Sequence, residues 1–232
     1  LERESTLNYI KAKLDGGEYL IFATTRPELS PATMGLSLHK DGNYVKVQKD
    51  KETWILSKIA AEKFKDEWEL TTASKPFKGK ELINKKVTIP LVNKIITITH
   101  DDATKIEYGT GFVYYCSYGG SECVEWLTRH PEVKTTKIMD FTGRYNENAG
   151  KYQGKTSEIA RAEILEDLRE IGVLVKEEKI KHNVNVHERC SRPVEFVEAT
   201  QWFIKLLEEK EKWLELGKQL NWFPEHMKNR YD

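Results

Sequence analysis

Apolar and polar residues alternate near the start of the chain in the pattern of a half-buried β-strand. Ile10, Ala12 and Leu14 share one face, with lysines between them, because successive side chains of a strand point to opposite faces. The turn sequence Asp15-Gly16-Gly17 follows, and then the apolar run at 19–23. This order predicts a two-stranded hairpin.

Two further regions have strand character. Residues 87–92 and 95–99 flank the short turn Asn93-Lys94, which predicts a second hairpin. Pro90 indicates an edge or a bulge there, because proline cannot donate to a ladder. Residues 111–118 form the most β-prone run of the chain, and we expect them to be a central strand.

Helical spacing is rarer in the first half. Ser57 can cap a helix whose Ala60, Phe64 and Trp68 lie four residues apart on one face. A short helix is predicted after Ser121, ending before the proline at 131.

The second half changes character near residues 150–154. Thr156 and Ser157 are good N-caps for a helix, and Gly172 lies where a C-terminal glycine cap belongs. The apolar stripe between them consists of Ala160, Ile164, Leu168 and Ile171. Strands are predicted at 173–175 and 194–197, and a helix at about 206–220.

Many short strands with scattered helices predict a mainly β fold with α elements, a closed β-barrel with peripheral helices. We expect residues 1–150 to form the barrel core and residues 151–232 to form a helical and β-ribbon extension. The chain opens without an initiator methionine and closes without a terminal cap, which we interpret as a piece of a larger protein.

Composition narrows the class of protein. The chain is 39% hydrophobic and 32% charged, and no apolar run approaches the ~18 residues of a membrane span. It has three cysteines without paired spacing, which argues against a disulfide framework and for the cytoplasm. The formal net charge is zero, so a nucleic-acid partner would need a local basic surface.

Generic signals of chemistry are weak or missing. No P-loop, GxSxG or HExxH motif is present. His187 and Cys190 are two metal-ligand types where zinc needs about four, so a structural turn is the favoured interpretation and no metal is expected. A lysine cluster is more typical of a solvated loop than of an RNA contact. Its members are Lys75, Lys78, Lys80, Lys85 and Lys86.

Two segments carry candidate binding groups. Thr24-Thr25-Arg26-Pro27-Glu28 places two hydroxyls, a guanidinium and a carboxylate where an apolar strand ends, and these groups can bind an adenosine, a ribose or an ester carbonyl. Tyr108-Gly109-Thr110-Gly111 enters the next β-prone run, and its glycines permit close approach to a ligand. Taken alone, an exposed strand end and a tight β corner explain the two segments as well.

Together and in this order, the two segments resemble the editing domain inserted in valyl-, isoleucyl- and leucyl-tRNA synthetases. The resemblance extends over nearly the whole chain, including Gln201-Trp202-Phe203-Ile204-Lys205. Ala-Thr-Thr-Arg-Pro-Glu at 23–28 and Tyr-Cys-Ser-Tyr-Gly at 115–119 are most similar to the archaeal type of valyl enzyme. The isoleucyl and leucyl enzymes remain alternatives.

The resemblance implies a hydrolase that cleaves threonine from mischarged tRNA(Val), with the tRNA 3′ end in a cleft and a positioned water in place of a metal. ATP and Mg²⁺ would belong to a synthetic domain outside this chain. The implied catalytic residues are Thr24, Thr25 and Glu122. The implied substrate-binding residues are Arg26, Glu28, Gly109, Thr110, Gly111, Tyr114, Cys116 and Cys123. Arg26 is expected to be dispensable for folding, since it lies at a strand exit.

One departure from the family stands at the predicted short helix. The family usually has two aspartates there, one of which anchors the α-amino group of the substrate, and they align with Gly120 and Cys123. Neither residue can supply a charge-assisted hydrogen bond. Either Glu122 or Glu125 replaces the missing acid, or the domain is a non-catalytic module that binds the tRNA acceptor end.

Overall fold

The computed structural model describes residues 1–231, which form eleven strands and five α-helices. The strands are β1 Glu2–Leu14, β2 Tyr19–Thr24, β3 Thr33–Leu38, β4 Asn43–Lys49, β5 Glu52–Ser57, β6 Thr71–Thr72, β7 Phe77–Lys78, β8 Lys86–Ile89, β9 Lys94–His100, β10 Phe112–Cys116 and β11 Leu174–Asn183. The helices are α1 Lys58–Lys63, α2 Ser121–Arg129, α3 Ser157–Glu170, α4 Lys210–Lys218 and α5 Lys228–Tyr231, and a 3-10 helix spans Pro27–Ala32. None of the described helices is long and apolar enough to cross a membrane.

Both predicted hairpins are present. Strands β1 and β2 pair antiparallel, as do β8 and β9. Pro90 lies directly after β8, where no ladder donor is needed. The predicted helix caps also hold in part, because the Ser57 hydroxyl accepts a hydrogen bond from the Ala60 amide at the start of α1.

The strands form one sheet, in the order β10-β3-β9-β8-β1-β2-β5-β4-β6, with β11 on β1 and β7 on β4. This sheet is not closed into a barrel, so that part of the predicted fold class is wrong. The strand order begins at β10 and ends at β6, and these two end strands do not pair with each other. Side chains also connect β10 and the residues before it to the inner strand β2. The Tyr114 ring stacks on Phe22 at 4.4 Å, and the Thr110 hydroxyl binds the Ile21 carbonyl at 2.5 Å.

Two other predictions are corrected. The run at 111–118 is not a central strand, because β10 pairs only with β3 and ends the sheet. Residues 194–197 form no strand. The segment there is held by side-chain contacts, among them Glu198 Oε2, which accepts from the Tyr118 hydroxyl at 2.6 Å.

Strand alternation separates two apolar cores. On β2, Leu20 and Phe22 face the larger core, and Ile21 faces the other. Ala160, Ile164 and Leu168 of α3 belong to the larger core, whereas Ile171, the fourth residue of the predicted stripe, is exposed. The helix predicted from Ser57 is shorter than its spacing indicated, because α1 ends at Lys63 and turns follow. Phe64 nevertheless stacks on Trp68 at 4.2 Å in the smaller core.

The chain divides into two compact units, the first comprising Leu1–Glu198 and the second beginning at Ala199. The first unit therefore includes residues on both sides of position 150. Helix α3 and strand β11 belong to the first unit because α3 packs into the main core and β11 pairs with β1 over most of its length. The second unit contains α4 and α5, and within it the Tyr231 hydroxyl donates to the Trp213 carbonyl at 2.7 Å.

Gly111 provides a test of how β10 begins. Its φ is +84°, and a Cβ there would stand 2.5 Å from the Cβ of the buried Ser57. We expect Gly111→Ala to lower the free energy of unfolding by roughly 2–4 kcal/mol, since it adds a clash to an unfavourable backbone conformation. Gly143→Ala is the matched control, with φ +78° and open space around it. It should cost about 1 kcal/mol. Equal losses in urea unfolding would contradict a role for packing.

Candidate active site

Three elements meet around a cavity of about 260 Å³: the end of β2, the strand β10 and the start of α2. Apolar and polar residues share its wall. The residues that line it are Leu7, Ala23, Thr24, Thr25, Arg26, Leu29, Tyr108, Val113, Tyr114, Tyr115, Cys116, Gly119, Gly120, Glu122 and Cys123. The structure thus brings together most of the residues that the resemblance implies, from segments about 90 positions apart.

The two threonines at the end of β2 differ in their contacts. The Thr24 hydroxyl accepts a hydrogen bond from the Arg26 amide at 3.0 Å, which turns the chain out of the strand. The Thr25 hydroxyl has no hydrogen-bond partner within residues 1–231. Thr25 is therefore the threonine whose hydroxyl is free to contact a ligand in the cavity.

Glu28 is a completely buried carboxylate that two arginines share. Its Oε1 accepts from Arg26 Nε at 3.0 Å. Arg161, on α3, binds the same carboxylate through Nε at 2.9 Å and a terminal nitrogen at 2.7 Å. The Tyr145 hydroxyl donates to the Glu28 carbonyl at 3.0 Å. Glu28 does not line the cavity, but it holds Arg26, which does.

Arg26 is largely occupied by the protein itself. Besides Glu28, it donates to the Gly119 carbonyl at 3.3 Å and to Glu195 at 2.5 Å. Burial opposes its charge, but the attraction of Glu28 and Glu195 outweighs burial and raises the pKa of Arg26 above its ordinary value. The arginine thereby holds the loop before α2 against the end of β2.

Arg161 and Glu195 were missed by the sequence analysis. Arg161 lies 133 positions from the carboxylate that it binds, and Glu195 lies 169 positions from Arg26. Ser157 also donates to Glu195, at 3.0 Å, so its hydroxyl serves a long-range contact besides beginning α3. No local pattern distinguishes these residues from the charged face of an ordinary helix or loop.

The Gly-Thr-Gly segment lies beside the cavity without lining it. Thr110 is fully buried, and its carbonyl accepts from the Ser57 amide at 2.9 Å. The Gly111 carbonyl accepts from the Tyr44 hydroxyl at 2.7 Å. Gly109 and Gly111 both have positive φ. These contacts describe a tight corner that positions β10, and Tyr108 is the residue of this segment that reaches the cavity.

The floor of the cavity is β10. The hydroxyl of Tyr114 hydrogen-bonds the Thr33 hydroxyl. Burial raises the pKa of Tyr114 and of the Cys116 thiol, so both side chains are neutral at physiological pH. Tyr115 donates to Asp101 at 3.1 Å, and Arg129 of α2 binds that aspartate at 2.8 Å. This contact ties the helix to the strand.

The first turn of α2 supplies the only carboxylate among the described lining residues, that of Glu122. A Cβ on Gly120 would stand 2.9 Å from Glu122 Oε2, so the carboxylate lies next to the Gly120 backbone. Cys123 is half-buried, and burial raises the pKa of its thiol. Cys123 and the exposed Glu122 therefore line the cavity from adjacent positions.

Metal-ligating residue types do not gather anywhere in residues 1–231: no three His, Cys, Asp or Glu side chains are placed to hold an ion. His187 and Cys190 lie 3.4 Å apart in a turn, as a pair.

Removing Arg26 should destabilise the fold, in contrast to the expectation from its position in the sequence. We expect Arg26→Ala to lower the free energy of unfolding by about 2 kcal/mol, since it breaks charged hydrogen bonds to a buried carboxylate. Arg189→Ala is the control, because Arg189 is exposed and has no hydrogen bond or ion pair within residues 1–231. Urea unfolding of both variants measures the difference. If the urea unfolding curve of Arg26→Ala coincided with that of the control, Arg161 alone would be enough to compensate the buried Glu28 carboxylate.

Comparison with known proteins shows which proteins this chain resembles. No protein-family model matches the chain. It is 37% identical over 229 residues to the valine–tRNA ligase of Archaeoglobus fulgidus, and 36% identical over 231 residues to that of Methanocaldococcus jannaschii. Each match covers 99% of this chain and 22% of the relative, so the chain spans about a fifth of the length of these enzymes.

Solved structures agree on the fold. The structure GlLeuRS-CP1 has a TM-score of 0.65 at 15% identity, over 75% of this chain and 99% of that one. The editing domain of the P. knowlesi cytosolic leucyl-tRNA synthetase has a TM-score of 0.58 at 10% identity, over 75% of this chain and 96% of that one. The chain therefore belongs to the valyl-tRNA synthetase family and corresponds to the part of those enzymes that has the editing-domain fold.

Proposed function

We propose that this chain is the post-transfer editing domain of a valyl-tRNA synthetase, which hydrolyses threonyl-tRNA(Val). One observation carries the proposal. The cavity between the Thr-Thr-Arg exit and α2 is lined by a single acidic residue, the exposed Glu122, among otherwise neutral or cationic described lining residues. A carboxylate is the group that an aminoacyl ester requires, because its α-ammonium is positive.

The chemistry of valine explains the need for such a site. Threonine has nearly the shape of valine, and a hydrophobic pocket rejects an isostere with an added hydroxyl only weakly; valyl-tRNA synthetase is the known example of this problem. A second, hydrolytic site can select threonine by hydrogen-bonding its hydroxyl. Thr25 has a free hydroxyl at the cavity and is our candidate for a polar contact of this kind.

The size of the cavity suits an aminoacyl group. At about 260 Å³, it lies slightly below the range of roughly 300–1,000 Å³ that holds drug-sized ligands. We therefore place the threonyl group inside and the terminal adenosine of the tRNA at the mouth, near Tyr108, whose ring is exposed. The partners are then the tRNA(Val) 3′ end and the rest of the synthetase, in the cytoplasm.

The proposed reaction is the attack of a water molecule on the ester carbonyl, with the ribose hydroxyl as leaving group. Glu122 anchors the α-ammonium and thereby orients the carbonyl, Thr24 lies beside the ester, and the Thr25 hydroxyl contacts the threonyl group. Arg26 and Glu28 act by holding the walls, and the Gly109–Gly111 corner positions β10, with Tyr114 and Cys116 as its floor. The domain needs neither ATP nor a metal for this step.

In this proposal Glu122 takes the role of the aspartates that the family usually has at the start of this helix. Its carboxylate lies beside Gly120, in the space where the first of those side chains would begin. Glutamate is longer by one methylene, so it can reach back over its own helix start. The alternative, a non-catalytic module for the tRNA acceptor end, is favoured by the neutral Cys123 in the place of the second aspartate.

Glu122→Gln tests the anchor. Loss of a charged hydrogen bond of about 1.5–3 kcal/mol should slow deacylation of threonyl-tRNA(Val) by roughly 10–100-fold. Glu125→Gln is the matched control, on the same helix but outside the cavity lining, and should leave the rate unchanged. Both variants are measured in the full-length protein. Valyl-tRNA(Ile) and norvalyl-tRNA(Leu) serve as comparison substrates for the sister specificities. No hydrolysis of any of the three esters by the unmutated protein would favour the non-catalytic module.

Cys123→Asp tests whether the site lacks a second acid. If Glu122 anchors the ammonium fully, the substitution should change the deacylation rate less than about threefold. If the site is under-anchored, the added carboxylate should raise the rate by tenfold or more, since charged hydrogen bonds are about twice as strong as neutral ones. Cys123→Ser, which stays neutral, controls for changes in packing. We expect the smaller effect, because Glu122 already faces the cavity.

A further inference from the structure

A second cavity, of about 710 Å³, borders the same short segment as the first. Leu29, in the 3-10 helix that follows Arg26, lines the first cavity, and Pro31 lines the second. The polar side chains of the second cavity are those of Lys94, Thr136, Asn148, Lys151 and Tyr152. No acidic residue is among the described residues that line it.

Lys94 is the unusual member of this wall. It begins β9, and its ammonium donates to the Thr33 carbonyl at 2.6 Å and to the Thr136 hydroxyl at 3.4 Å. It is half-buried, and within residues 1–231 no carboxylate pairs with it. Burial lowers the pKa of Lys94, because the charged form loses hydration without gaining a counter-charge.

The surroundings of Lys94 favour an anion. Lys151 stands at the rim with 64% of its side chain exposed, and its partner Asp167 does not line the cavity. Gly150 adds backbone to the wall in a left-handed conformation, with φ +59°. An anion held here would supply the charge that Lys94 lacks and would stabilise the ammonium.

We propose that the second cavity binds a phosphate group, with Lys94 as its central ligand and Lys151 at its rim. Lysine binds phosphate as a point charge, and a phosphate offers acceptors to the remaining ammonium hydrogen. The inference rests on the proposed function and deepens it. The phosphate belongs to the backbone of the tRNA whose 3′ end occupies the first cavity. A free phosphate or mononucleotide is the other source of the same chemistry.

Thr33 connects the two cavities. Its carbonyl accepts from Lys94, and its hydroxyl hydrogen-bonds Tyr114 in the floor of the first cavity. Thr33 therefore contacts one lining residue of each cavity. A phosphate bound at Lys94 would act on substrate affinity, since Lys94 does not itself line the site of the ester.

The test compares RNA binding by the full-length protein with and without Lys94→Gln. Both proteins also carry Glu122→Gln, and the ligand is uncharged tRNA(Val), so that binding is separated from hydrolysis. We expect about tenfold weaker binding near 0.1 M salt and a slope of log affinity against log salt that is smaller by about one. Lys94→Arg should restore both quantities. Lys86→Gln is the matched control, an exposed lysine on β8 that lines neither cavity, and should change neither quantity.

A second measurement distinguishes the sources of phosphate. Inorganic phosphate and adenosine monophosphate are titrated while the melting temperature is recorded. If they stabilise the unmutated protein and not Lys94→Gln, while tRNA affinity is unaffected by the substitution, the cavity holds a free phosphate. If Lys94→Gln alters neither tRNA binding nor phosphate stabilisation, the proposal is wrong and Lys94 only secures the Thr33 carbonyl. Binding is measured without hydrolysis, so an editing-inactive protein would leave this result readable.

Discussion

The buried carboxylate of Glu28 is the constraint on which the rest of the site depends. It has no exposure to solvent, and an isolated charge in that position would be too costly to persist. Arg26 donates to Oε1 of this carboxylate and Arg161 donates to both of its oxygens, and Arg26 also donates to the Gly119 carbonyl. One carboxylate thereby joins the end of β2, helix α3 and the loop before α2.

The sequence predicted the local features of the fold and missed those that depend on contacts between distant residues. The hairpins and the Ser57 cap are local, since alternation, turn residues and capping groups are all read within about ten residues. Closure of the sheet is not local. It depends on whether the end strands β10 and β6 meet, and these strands lie about 40 positions or more apart in the chain. The contact of Tyr114 with Phe22 likewise joins residues 92 positions apart. The segment near Glu195 likewise has the composition of a strand but is held by a distant arginine.

The candidate site shows the same division. The Thr-Thr-Arg exit and the start of α2 could be assigned from motifs, because each motif is contiguous. The role that each motif plays in the structure could not be assigned in this way. Arg26 has the chemistry of a ligand-binding group, yet its hydrogen bonds go mainly to the protein. The Gly-Thr-Gly corner likewise shapes β10 from behind the cavity wall. Arg161 carries no motif at all.

The start of α2 combines a position without a side chain, Gly120, with an acidic residue two positions later, Glu122. A charged side chain needs a fixed distance to its ligand more than a fixed place in the sequence. Gly120 has no side chain, and its extended backbone leaves room into which the longer Glu122 can lean. The helix that carries Glu122 is fixed at its other end by Arg129, through Asp101 and Tyr115. Because Tyr115 lies in the cavity wall, the same aspartate fixes both the strand and the helix, and the carboxylate of Glu122 keeps its place relative to the floor.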